Sequence, residues 1–102
     1  MEDSLDELVE KTETGYNLVV TQENKQIWIE LIKEATAAAR KRYTELYPGA
    51  SVDSSMTAQI WTEGFQAGYI GGCIGAFLDV DQDQQMDLEG QAEIILREFR
   101  NA

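Results

Sequence analysis

Five glycines fall within the twelve residues 64–75, inside a stretch whose large apolar residues recur at helical spacing. Gly64, Gly68 and Gly72 are four apart; Gly71 and Gly75 repeat the interval one residue out of phase, and Ala76 extends the first row. Glycine inside a helix costs about 1 kcal/mol against alanine. Five of them need a structural return, and the simplest is close approach by another backbone, which a side chain would block. One surface that fits is a preceding helix of the same chain carrying Ala35, Ala37, Ala38 and Ala39. Another is the same face of a second copy, which would make the chain a homodimer. A membrane-active glycine zipper is disfavoured. The apolar run 67–78 is twelve residues long and is preceded by Glu63 and Gln66, whereas a span needs about 20.

The flanking pattern reads as all-α: a small bundle of about four helices around an antiparallel hairpin of two long ones. Ser4-Leu5-Asp6-Glu7 fits a capping box, and Leu5, Leu8, Val9 and Thr12 continue at helical spacing to a stop at Thr14-Gly15. Tyr16 to Val20 is β-prone but has no evident partner strand, so an extended connector is expected. Thr21 would cap a second helix over 22–46, striped by Ile27, Trp28, Leu31, Ile32, Ala35, Ala39, Tyr43 and Leu46 and ended by Pro48-Gly49. Asp53, Ser54 and Ser55 are cap candidates for a third helix over 55–78, whose apolar side begins with Met56, Ile60, Trp61, Phe65 and Tyr69. After a polar loop over 79–85, Asp87 would cap a last helix carrying Leu88, Ala92, Ile95, Leu96 and Phe99, with Glu93 and Arg97 as an i,i+4 pair. No linker or repeat divides the 102 residues, so one acidic helical domain is expected.

Nineteen acids against eight bases give a net charge of −11. Such a surface repels nucleic-acid phosphates, so direct DNA or RNA binding is not expected. Most bases lie on the second helix, and the run from Tyr43 to Leu96 has nine acids and no base. There is no histidine, and the single Cys73 allows no intrachain disulfide. With no basic residue near it in sequence, Cys73 reads as a core thiol rather than a reactive one. The N-terminus lacks a basic region followed by an apolar run, so a cytoplasmic protein is expected.

Residues 79–90 resemble an EF-hand calcium loop: Asp79, Asp81 and Asp83 match its first, third and fifth positions, Gln85 the seventh and Asp87 the ninth. Gln84 stands where that family has glycine, and Gly90 where it has the bidentate glutamate. The resemblance implies at most weak calcium binding; the plain reading is a solvated acidic loop. Catalysis has little to work with: no serine–histidine or cysteine–histidine set, no phosphate-binding glycine loop and no Glu-x-x-His pair. The expectation is a non-enzymatic acidic binding protein without a cofactor, an inhibitor or immunity/anti-defence type protein that engages a basic, nucleic-acid-handling protein. Its contacts would be Asp79, Asp81, Asp83, Asp87, Glu89 and Glu93 with exposed aromatics. A self-assembling structural role is the other reading, carried by the glycine row.

Overall fold

The computed structural model describes residues 2–49 and 56–101. The cap candidates Asp53, Ser54 and Ser55 lie outside the described residues. A stretch of 3-10 helix, Glu2–Leu8, leads into strand β1, Val9–Lys11, which pairs antiparallel with β2, Tyr16–Leu18. The expected first α-helix is therefore a 3-10 stretch followed by a hairpin, whose second strand is the segment expected to lack a partner. Two local forces decide this. Glu7, Glu10 and Glu13 would stack like charges at i,i+3 on a helix. Thr12-Glu13-Thr14-Gly15 instead closes a turn, in which Thr12 N–H donates to the Gly15 carbonyl (2.8 Å) and Gly15 N–H to Thr12 Oγ1 (3.0 Å).

Helix α1 spans Lys25–Leu46. Just ahead of it, Thr21 N–H donates to Asn24 Oδ1 (2.8 Å) and Asn24 N–H to Thr21 Oγ1 (3.1 Å). That reciprocal pair has the form of a capping box, with Asn24 in place of the usual Glu or Gln. Helix α2 spans Met56–Leu78 and α3 spans Gln82–Asn101. Among the described residues there are thus three helices and a two-stranded sheet, not four helices. Thr36 meets Gln66 and Tyr43 meets Trp61, so α1 and α2 are antiparallel, as expected for the long hairpin. Gly75 lies beside Gln85 while Glu63 pairs with Arg100, so α2 and α3 are antiparallel too.

The core joins Leu8, Trp28, Leu31, Ala35, Ala67, Ile70, Ile74, Leu88, Ala92, Ile95 and Leu96. The stripes of α1 and α3 were legible, except that Leu46 stands 44% exposed. On α2 the buried side runs through Ala58, Ala67, Ile70 and Ile74, while Ile60 is 63% exposed and Trp61, Phe65 and Tyr69 are half-buried. No helix among the described residues is long and apolar enough to cross a membrane.

Candidate functional site

The connection from α2 to α3 is only Asp79-Val80-Asp81. Asp79 takes φ +56°, Val80 N–H reaches the Gly75 carbonyl (3.2 Å) and Asp79 N–H the Ala76 carbonyl (3.3 Å). This is the Schellman closure of a helix, with aspartate where glycine is usual. Asp81 then caps α3: its Oδ1 accepts from Gln84 N–H at 2.9 Å and its carbonyl from Gln85 N–H at 2.9 Å. The cap is Asp81, not Asp87, and residues 82–90 are helix rather than loop. A capping aspartate followed by three glutamine- and aspartate-rich helical turns outcompetes an irregular loop because every interior N–H finds a carbonyl.

This overturns the twelve-residue calcium loop. Helical rise sends Asp83 and Asp87 toward the β-hairpin and turns Gln85 toward α2, so Asp79, Asp81, Asp83, Gln85 and Asp87 do not converge. Among the described residues no group of three or more Asp, Glu, Cys or His side chains is placed to hold a metal ion.

What the fold assembles instead is an open cleft of about 420 Å³ between the hairpin turn and the first turns of α3. Asp81, Asp83, Gln84 and Asp87 form one wall; Thr12, Thr14, Gly15, Tyr16 and Asn17 form the other. The walls are joined by Gln91. Its Nε2 donates to the Tyr16 carbonyl (3.1 Å) and to Asp87 Oδ2 (2.8 Å), and its Oε1 accepts from Leu18 N–H (2.7 Å). Gly15 lets the Gln84 side chain lie against the turn; a Cβ at that position would make the end of that side chain move aside. Among the described residues no basic side chain lines the cleft.

The expected partner-binding set is therefore divided. Asp81, Asp83 and Asp87 share the cleft, and Asp79 ends α2 nearby. Glu89 lies against α2, and Glu93 is held by Arg97 at 2.7 Å. The aromatic surface is elsewhere too. Tyr47, Tyr43, Trp61, Phe65 and Tyr69 form a ladder with ring centroids 4.9, 5.3, 5.3 and 6.5 Å apart, starting at the far end of α1 and α2. The aromatic at the acidic cleft is Tyr16. The turn 12–17 and Gln91 escaped the sequence reading; the signal for the turn was Thr-Glu-Thr-Gly between β-prone residues.

At Gly71 and Gly75 the glycine row meets a different neighbour from the alanines expected. A Cβ on Gly71 would lie 2.5 Å from Glu89 Cγ and 2.9 Å from Glu89 Cα, and one on Gly75 would strike Gln85. Gly68 and Gly72 are in ordinary contact distance of Glu89 and Gln85 (3.7 Å each), and Gly64 is open. The backbone that approaches Gly71 belongs to α3, not to the alanines of α1. Cys73 is half-buried rather than fully buried; burial, then the Glu34 carboxylate, pushes its thiol up from the ordinary value. Compared with protein-family models, curated proteins and solved structures, the chain matches none.

Proposed function

We propose that the protein is a non-enzymatic acidic binding protein that engages a basic protein in the cytoplasm and acts as its inhibitor, in the manner of immunity or anti-defence proteins. The observation that carries this is the cleft: residues 64 to 75 apart in sequence combine three carboxylates with Tyr16, and among the described residues no cation lines it. A single exposed ion pair contributes only about 0–1 kcal/mol, so affinity would come from several carboxylates acting together with an apolar anchor. The wider charge supports the same reading. Arg40, Lys41 and Arg42 lie in the C-terminal half of α1, and Arg97 and Arg100 in the C-terminal part of α3, so five of the eight bases lie toward the end opposite the cleft. A molecule polarised in this way meets a basic surface cleft-first, which raises the encounter rate and fixes orientation. A partner with a nucleic-acid-binding groove has the matching chemistry.

The test is affinity capture from the source cell with washes at low and high salt, comparing the native chain with the double variant Asp83→Asn/Asp87→Asn. Capture of a basic protein that high salt releases and the double variant loses supports the proposal. Recovery of the protein alone, or of a partner that the variant still holds through salt, overturns it.

A further inference from the structure

The sheet has two edges, and the fold treats them differently. Val19 N–H donates to the Leu8 carbonyl and Thr12 N–H to the Gly15 carbonyl, which brackets the ladder and makes Glu10 and Asn17 its central hydrogen-bonded pair. In the alternate pairs, Val9 with Leu18 and Lys11 with Tyr16, the backbone groups point outward. On the β2 side the outward Tyr16 carbonyl and Leu18 N–H are both taken by the Gln91 carboxamide, which acts as one residue of a third strand. On the β1 side the equivalent doublet is the Val9 carbonyl and the Lys11 N–H. Among the described residues neither has a partner, and the Glu10 side chain between them is exposed.

We propose that the β1 edge is a docking strand for an extended, basic segment of a protein partner, adding a third strand through the Val9 carbonyl and Lys11 N–H. This rests on the reading of a basic partner and specifies how part of it is held. Exposed sheet edges recruit extended peptides by main-chain pairing, with side chains selecting among them. The selection here is for a lysine or arginine opposite Glu10, with Glu7 and Glu13 flanking β1 in sequence. A second copy is the wrong occupant: antiparallel pairing of two β1 strands about their centre sets Glu10 against Glu10, between molecules each of charge −11.

The probes are two short peptides of equal charge, one alternating lysine with valine and one alternating lysine with proline, which cannot continue a ladder. The valine peptide should bind about five- to tenfold more tightly, the worth of about one net hydrogen bond. At saturation it should slow hydrogen exchange at the Lys11 amide, with the Leu18 amide as the internal reference. Lys11→Pro removes the donor and should abolish the preference, although losing a positive charge would by itself favour both peptides. Equal binding of the two peptides with changes only at Gly15, Asn17 and Asp83 overturns the edge proposal and leaves the cleft reading standing. An unprotected Lys11 amide in the native protein at saturation overturns it whatever the variant does. Binding of neither peptide overturns both.

Discussion

Asn24 is the one buried polar side chain among the described residues, 2% exposed, and it holds three parts of the chain together. Its Nδ2 donates to the Glu7 carbonyl (2.8 Å) and the Val19 carbonyl (2.9 Å), while its Oδ1 accepts from Thr21 N–H. Trp28 Nε1 donates to the same Val19 carbonyl at 2.8 Å. Asn24→Ala removes the side-chain partner of the Glu7 carbonyl and of the Thr21 amide, leaves the Val19 carbonyl to Trp28 alone, and should cost about 1–3 kcal/mol, read from urea unfolding. Cys73 gives a pH dependence. Burial and Glu34 both disfavour its thiolate in the folded chain, so stability is untouched below the ordinary thiol value and falls as pH rises through the raised one. Cys73→Ser should remove that part of the fall, and alkylation of the native protein should show its midpoint above that of a short cysteine peptide. Cys73 was read from the sequence as a core thiol and is half-buried; the role of Asn24 was not legible. Asn24 sits among polar neighbours, Gln22, Glu23 and Lys25, and nothing local marks a side chain that becomes buried only because Glu7 and Val19 arrive from elsewhere.

Helix α2 shows what its glycines do and which are needed. Gly71→Ala gains about 1 kcal/mol of helix propensity but forces a Cβ onto the Glu89 backbone at 2.9 Å, and overpacking of this kind costs about 1–3 kcal/mol. The variant should be less stable than native. Gly64→Ala, with open space around it, should be more stable by about 0.5–1 kcal/mol; calorimetry of the pair reads both signs. Asp79, left-handed at φ +56°, should likewise gain about 1 kcal/mol when changed to glycine, measured by the same unfolding assay. The spacing of the row announced a close backbone but not its identity, because small residues record proximity and carry no information about the neighbour. Helices α1 and α2 were legible because apolar periodicity and the Pro48-Gly49 stop agree. The start of α3 was not, since Gln82 to Gln85 carry no apolar residue and only the Asp81 cap marks the helix. The hairpin was missed because Leu5, Leu8 and Val9 fit a helical period over a segment too short to separate it from alternation.

At the scale of the molecule, −11 charges on 102 residues repel one another, most strongly around the cleft end. Raising salt should therefore raise the melting temperature, and Asp83→Asn/Asp87→Asn should shrink that increase; calorimetry across a salt series checks both. The excess of acid was legible in the composition, and so was the exclusion of histidine-based chemistry. The cleft was not, because half of it comes from a turn 64 or more residues away, and residues that meet only through the fold leave no spacing to read. The same separation bears on how the chain reaches its native state. Helices α2 and α3 are joined by three residues and meet along the glycine row, a contact of short loop closure that can form early. The hairpin joins α3 through Leu18 and Gln91, 73 residues apart, and so closes one of the longest loops in the chain. The α2–α3 pair is thus placed to be the folding nucleus. The acidic cleft would then be complete only once the last, most distant contact has been made, and a partner that needs both walls would recognise the finished fold and not its precursors.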